Sequence, residues 1–270
     1  MRQLRLFHLF GLLFPLLAAP ALRADLVWTA DKGWRVEGGA LVGVIGEEGR
    51  NALELMNQAR LAEEHGRDGR ALKTYKKVSR DYAKSVYAPE AFYRIALLYL
   101  KRRDFARSFD AYQHVVSGYP NYDRFSTVIG DQYRIGSALA EGARGRILWG
   151  LFPGFKNREQ AITYFEQVIA NAPYSDYAPL ALMNVARLRQ RVREQAEAID
   201  ALDRMINFYP QSILTPDAYL KLAQSYASLV DGPDYDQYST REAVSAFQDF
   251  MILYPGDPNV ADAEKGMAEM

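Results

Sequence analysis

The sequence predicts an all-α solenoid of about five helix pairs followed by one terminal helix. Three observations predict this fold class. Apolar residues recur at helical spacing from about Asn51 onward, Gly or Pro falls between the helical segments, and one short motif returns before successive segments. Stacked helix pairs bury a continuous core that a single pair could not form. We therefore expect a repeat domain over residues 51–270.

The repeated motif lies at the joints between helix pairs. Its copies are residues 85–91 (SVYAPEA), 175–181 (SDYAPLA) and 212–218 (SILTPDA), with 257–263 (DPNVADA) as a degraded fourth copy. Pro falls in the first turn of the next helix, where its missing N–H costs nothing. The preceding helices are predicted to stop before a second set of prolines, namely Pro120, Pro173, Pro210 and Pro255. Thr215 is also expected to cap the helix that begins at Pro216.

A second pattern sets the phase of the repeat. The first helix of each pair (helix A) carries a small residue where the second helix (helix B) crosses it closely, and the candidates are Ala59, Ala96, Gly136, Ala186 and Ala223. Helix B carries a small residue and, four positions later, a large one: Ala71/Tyr75, Ser108/Tyr112, Ala161/Phe165, Ala198/Leu202 and Ala243/Phe247. Extra residues between these two markers predict insertions near 143–156 and 230–238. The pattern resembles the tetratricopeptide repeat, which implies a right-handed solenoid.

The first 50 residues do not follow the repeat. Residues 1–24 read as a cleaved signal peptide, because Arg2 and Arg5 precede a short apolar run and small residues follow it. An uncleaved membrane anchor is the alternative, although the run is short for a span and contains Pro15. Residues 25–50 could include a small hairpin. This extension is either a flexible lead-in or, if its two tryptophans are exposed, a docking element.

The composition excludes several classes of function. Lys+Arg (33) and Asp+Glu (33) cancel, so no nucleic-acid partner is expected. The sequence contains no Cys, which removes thiol chemistry, Cys-ligated metals and the attachment site for a lipid anchor. His65 and His114 lack partners at the spacing of metal ligands. We therefore predict no catalytic residue, no cofactor, no metal and no enzymatic activity.

Two regions are candidates for partner binding. The insertion at 142–155 (GARGRILWGLFPGF) either reaches outside the stack as a contact site or folds back over the neighbouring pair. Its large apolar residues are Ile147, Leu148, Trp149, Leu151, Phe152 and Phe155. The second region is the concave face, which helix A is expected to line. The polar positions predicted there are Tyr93, Arg94, Lys101, Gln132, Arg134, Asn184 and Arg187.

Several segments together resemble one family. They are residues 51–55 (NALEL), 103–106 (RDFA), 157–161 (NREQA) and 172–178 (APYSDYA). Over roughly residues 50–190 the chain resembles the BamD (ComL) family of outer-membrane assembly lipoproteins. The resemblance implies a place on the periplasmic side of the outer membrane. Its implied partners are the barrel protein of the assembly machine, associated with the C-terminal repeats, and unfolded barrel substrates, associated with the N-terminal ones.

The chain departs from that family at one point. The family's mature N-terminus is normally a lipid-modified Cys, and no Cys is present here. We therefore expect an exported protein-binding scaffold without a lipid anchor. It is either a component of outer-membrane β-barrel assembly or a periplasmic adaptor for another envelope complex, such as one of cell division or cell-wall synthesis.

Overall fold

The computed structural model describes residues 25–37, 46–144, 157–230 and 237–270, together with the backbone of two short strands at 146–147 and 152–153. The helices in these ranges are α1 (Glu47–Glu64), α2 (Asp68–Asp81), α3 (Ala88–Lys101), α4 (Phe105–Gly118), α5 (Phe125–Ala140), α6 (Arg158–Asn171), α7 (Tyr177–Arg191), α8 (Gln195–Phe208), α9 (Thr215–Ala227), α10 (Gln237–Leu253) and α11 (Val260–Ala268). The strands are β1 (Asp25–Thr29), β2 (Gly33–Glu37), β3 (Arg146–Ile147) and β4 (Phe152–Pro153).

The helices pack as consecutive A/B pairs. The pairs are α1/α2, α3/α4, α5/α6, α7/α8 and α9/α10, and α11 packs on the last pair. Each helix B also contacts the helix A that follows it, which joins the pairs into one stack. The chain is a tetratricopeptide-like right-handed solenoid of five helix pairs plus a terminal helix, as its sequence predicts.

The small residues that set the repeat phase all lie at buried helix crossings. All ten small residues, five on A helices and five on B helices, are buried. In the second repeat the Ser108 hydroxyl donates to the carbonyl of Ala96 across the crossing, at 2.9 Å. In the third repeat, a Cβ added to Gly136 would lie 3.0 Å from Cε1 of Phe165. Close approach of the two helices therefore depends on these small residues.

The ends of the B helices repeat one arrangement. Four of them end two residues before the predicted proline, at Gly118, Asn171, Phe208 and Leu253. The Tyr209 hydroxyl then donates to the carbonyl of Pro173 at 2.6 Å, one repeat earlier. Tyr119 donates in the same way to the carbonyl of Ala83 at 2.7 Å. These two tyrosines each connect a joint to the one before it.

The predicted cap at Thr215 is wrong. Thr215 is the first helical residue of α9 rather than the residue before it, and it is buried. Its hydroxyl donates to the carbonyl of Tyr209 at 2.8 Å. The threonine therefore fastens the joint to the end of α8 instead of satisfying the N–H groups of its own helix.

The N-terminal extension contains an antiparallel hairpin that packs on α1. Strands β1 and β2 pair with Trp28 opposite Trp34. Trp34 is 2% exposed, and its backbone N–H donates to Oδ1 of Asn57 at 2.6 Å. The Trp28 ring is half-buried beneath the Arg60 guanidinium, 4.3 Å from the ring centroid. Neither tryptophan is free to serve as an exposed docking residue.

The predicted signal peptide, residues 1–24, lies outside the described residues. In the part of the chain that is described, no helix combines the length and the apolar character needed to span a bilayer.

Candidate protein-binding surfaces

Three buried or half-buried carboxylates lie on the A helices of the first three repeats. Each one accepts a hydrogen bond from a tyrosine hydroxyl: Tyr75 donates to Glu63 (3.0 Å), Tyr122 to Glu90, and Tyr112 to Asp131 (3.0 Å). Burial, followed by the charge of the adjacent carboxylate, raises the pKa of all three tyrosine hydroxyls. The tyrosines therefore remain protonated donors at neutral pH.

Arg94, predicted as a binding residue, is held within this network. Its Nε lies 2.9 Å from Oε1 of Glu90, and its Nη1 lies 3.8 Å from Oε1 of Glu63. The guanidinium also lies over the Trp34 ring, 5.5 Å from its centroid. Only 14% of the side chain is exposed. Arg94 thus joins the hairpin, the first repeat and the second repeat, and it presents little surface to a partner.

The expectation that Tyr93 and Gln132 lie on an accessible face is wrong. The Tyr93 ring packs against Tyr112 and Tyr122, and Gln132 is fully buried. Nε2 of Gln132 donates to Oε1 of Gln113 at 2.9 Å. A helix A inside the stack is covered by its own helix B and by elements of both neighbouring repeats. The buried side of such a helix is therefore wider than that of a helix that packs against one neighbour only.

Lys101 and Arg134 do lie at the surface. Nζ of Lys101 forms an ion pair with Oδ2 of Asp68 at 2.9 Å, at the end of α3. The Arg134 side chain is 71% exposed, and its Nη1 lies 2.5 Å from Oδ1 of Asp131. In each pair the cation is largely exposed, whereas the carboxylate is mostly buried. The two cations therefore remain available to a partner.

Asn184 and Arg187 form part of a contact between two A helices. Nδ2 of Asn184 donates to the Tyr133 hydroxyl at 3.1 Å, which links α7 to α5. Nη2 of Arg187 donates to Oδ1 of Asn184 at 2.6 Å, and Arg187 is exposed. Among the predicted polar positions, Lys101, Arg134 and Arg187 are therefore the accessible ones, and Asn184 orients the last of them.

The apolar insertion is described only in part. Strands β3 and β4 pair antiparallel, with Ile147 opposite Phe152. The side chains of these two residues lie outside the described residues, as do Leu148, Trp149, Leu151 and Phe155. The role predicted for this insertion stays a prediction.

A second apolar surface, which was not predicted from the sequence, is formed by the two joints on either side of the fourth helix pair. We call it the joint groove. Its volume is about 670 Å³, within the range of small binding clefts. It is lined chiefly by Tyr174, Pro179, Leu180, Phe208, Ile213 and Leu214.

Three large side chains of the joint groove are almost fully presented to solvent. Tyr174 is 99% exposed, Ile213 is 93% exposed and Phe208 is 72% exposed. Asp176 is the one charged residue among the described lining. Exposed aromatic and aliphatic side chains around an apolar depression are typical of protein contact sites. A sequence signal did exist, because Phe208 stands where Gly118 and Asn171 end the corresponding helices of earlier repeats.

No group of three His, Asp or Glu side chains in the described ranges is arranged to hold a metal ion. The buried carboxylates are already engaged by tyrosine and arginine donors, and the candidate surfaces are apolar or carry paired charges. This arrangement suits contact with other macromolecules.

Comparison with known proteins agrees with the repeat architecture. The tetratricopeptide-repeat family model matches residues 90–122, 132–175 and 180–212. The outer membrane protein assembly factor BamD of Caulobacter vibrioides is 28% identical over 107 residues, which is 40% of this chain and 35% of that protein. The match thus spans about a third of BamD.

Two solved structures are also similar. MamA of Desulfovibrio magneticus RS-1 is 14% identical, with 80% of this chain and 99% of that one covered and a TM-score of 0.35. A thermophilic tetratricopeptide protein of Thermus thermophilus is 16% identical, with coverages of 81% and 98% and a TM-score of 0.36. The chain thus carries tetratricopeptide repeats, is similar to BamD over part of its length, and is a scaffold for protein–protein interaction.

Proposed function

We propose that the protein is a non-catalytic scaffold of outer-membrane β-barrel protein assembly, acting at the periplasmic face of the outer membrane. The observation that carries this proposal is the similarity to BamD, named as an outer membrane protein assembly factor, over 107 residues. The charged start and short apolar run of residues 1–24 support export.

The joint groove is the surface we assign to the barrel protein of the assembly machine. It lies in the C-terminal half, where the BamD resemblance associates the repeats with that partner. Tyr174, Phe208 and Ile213 would bury most of their exposed area on contact. Removal of such side chains from water is the main favourable term in association.

Unfolded barrel substrates are assigned to the A-helix face of the second and third repeats. Lys101 and Arg134 present exposed cationic groups there, each paired with a neighbouring carboxylate. An extended chain offers backbone carbonyls and carboxylates that such groups can bind. The insertion at 142–155 lies between α5 and α6 and is proposed as an additional apolar contact.

The alternative function is a periplasmic adaptor for another envelope complex, such as one of cell division or cell-wall synthesis. The fold and the joint groove would serve that role equally well. The two functions differ in the identity of the protein that occupies the groove.

Site-specific photo-crosslinking in the native envelope tests the proposal. A photoreactive phenylalanine analogue replaces Ile213 in the groove or, as a control, Gln248 on the exposed side of α10. We expect the Ile213 variant to crosslink to the barrel protein of the assembly machine, and the Gln248 variant not to do so. Crosslinks from Ile213 to division or cell-wall proteins alone would contradict the assembly role and support the adaptor.

A further inference from the structure

The outward face of α2 is strongly basic. Arg70, Lys73, Lys76, Lys77 and Arg80 are all exposed on this helix, against one exposed carboxylate, Asp81. The opposite side of the helix, which includes Ala71, Tyr75 and Val78, is buried in the core. The cations are therefore confined to one side of the helix that the fold leaves open to solvent.

Four of these cations form a line. Arg70, Lys73, Lys77 and Arg80 are spaced by three, four and three residues, which places them along one side of the helix. At 1.5 Å per residue the line is about 15 Å long. Like charges at this spacing destabilise an isolated helix. The four like charges therefore destabilise α2 rather than stabilise it.

Most of the line is not engaged in internal ion pairs. In the described part of the chain, the side chains of Arg70, Lys73 and Lys77 form no ion pair and no hydrogen bond. Arg80 pairs with Asp81 at 2.7 Å, but the arginine side chain is 78% exposed. These charges are available to an external anionic surface.

The basic surface continues into the second repeat. Nζ of Lys76 donates to the Tyr99 hydroxyl at 2.7 Å, and Arg107 lies 5.6 Å from the centroid of the same ring. Tyr99 therefore brings cations of α2 and α4 together. Arg102 and Arg103, at the α3–α4 turn, are also exposed. We call this combined surface the basic face.

The other B helices do not share this property. Their exposed charged residues are balanced or acidic: Arg107 and Asp110 on α4, Arg158 and Glu159 on α6, Glu197 and Asp200 on α8, and Arg241 and Asp249 on α10. Because the whole chain has a formal net charge of zero, the basic face is a local concentration of charge and not a consequence of composition.

We propose that the basic face binds an anionic lipid surface through the phosphate groups of its headgroups. The outward side of α2 exposes no aromatic or large apolar residue, whereas the cores of protein interfaces are enriched in aromatic residues and depleted in lysine. Flexible lysines and arginines in a line fit a diffuse sheet of phosphates, and each cation near such a surface strengthens binding by about fivefold. This inference goes beyond the proposed function, because it does not depend on which proteins the scaffold binds.

Vesicle co-sedimentation tests the proposal. The full chain is mixed with vesicles of phosphatidylcholine alone or of phosphatidylcholine with phosphatidylglycerol. We expect binding only to the anionic vesicles, and loss of that binding when the salt is raised from about 0.05 to about 0.5 M, because the charges become screened. The double variant Lys73→Gln and Lys77→Gln removes two cations and should weaken binding by about 25-fold.

The matched control places the same change of charge on another helix B. Thr163→Glu and Gln167→Glu on α6 lower the net charge by two at exposed positions with the same spacing. This variant should bind the anionic vesicles like the unmodified protein. Equal losses in both variants, equal binding to neutral vesicles, or no binding to the anionic vesicles at low salt would each overturn the proposal. The last outcome would point to an acidic protein partner instead.

Discussion

Replacing Gly136 with alanine should destabilise the solenoid, although the same change in an open helix stabilises it. Gly136 lies in α5 at the crossing with α6. An added Cβ would lie 3.0 Å from Cε1, 3.2 Å from Cδ1 and 3.3 Å from Cζ of Phe165. Phe165 is fully buried and its ring packs against Tyr133, with centroids 5.6 Å apart. The ring therefore has little room to move away.

The expected magnitude follows from two opposing effects. Alanine in a helix is more favourable than glycine by about 1 kcal/mol. Inserting one carbon into a tightly packed core costs about 1–3 kcal/mol. With Phe165 fixed in place, we expect the free energy of unfolding to fall by about 1 kcal/mol for Gly136→Ala. Gly118→Ala is the matched control, because Gly118 ends α4 and nothing lies within 4 Å of its added Cβ.

Urea denaturation followed by far-ultraviolet circular dichroism measures both variants. We expect the unfolding midpoint to fall for Gly136→Ala and to stay or rise for Gly118→Ala. A Gly136→Ala protein as stable as the parent would refute the close crossing of α5 and α6 on which the repeat phase rests.

Three further substitutions test a second helix crossing, a joint hydrogen bond and a buried carboxylate. Ala186→Leu should overpack the α7–α8 crossing and lower stability by about 1–3 kcal/mol, and an unchanged thermal melt would mean that the phase is wrong. Tyr209→Phe removes the hydrogen bond between adjacent joints and should cost about 0.5–1.5 kcal/mol in urea denaturation, whereas no loss would show that this bond contributes nothing. Burial, followed by the charges of Asp200 and Glu242, raises the pKa of Asp203. Ionisation of Asp203 therefore opposes folding, and stability falls as the pH rises through that pKa. Asp203→Asn should stabilise the protein by roughly 0.5 kcal/mol at pH 7 and by nothing below about pH 3, while equal effects at both pH values would contradict this origin.

The repeat phase was accessible from the sequence because it depends on local steric requirements. A small residue is needed wherever two helices cross closely. Ala59, Ala96 and their counterparts therefore identify each crossing from the sequence alone. Proline stops a helix by the absence of its own N–H and by a clash with its own preceding turn. Such rules act within a few residues, and all the B helices with a following proline end where these rules predict.

The surfaces were less accessible because they depend on neighbouring repeats. Gln132 reads as a polar helix residue, yet Gln113 of the preceding repeat covers it. Thr215 matches the pattern of a helix cap, yet its hydroxyl donates to a carbonyl at the end of α8. The exposure of Tyr174 and Ile213 is likewise set by the geometry of two joints. The spacing of apolar residues along one helix shows which of its sides are apolar. It does not show which neighbouring repeats cover the other sides.

The outer-membrane assembly role is tested by affinity purification of the tagged protein from its own envelope, followed by mass spectrometry. The purification compares the parent with a joint-groove variant, Phe208→Glu and Ile213→Glu, whose fold is checked by circular dichroism. We predict that the parent recovers the barrel protein of the outer-membrane assembly machine and that the variant loses it. Recovery of other envelope proteins without that barrel protein, from a parent that is folded and exported, would contradict the assembly role.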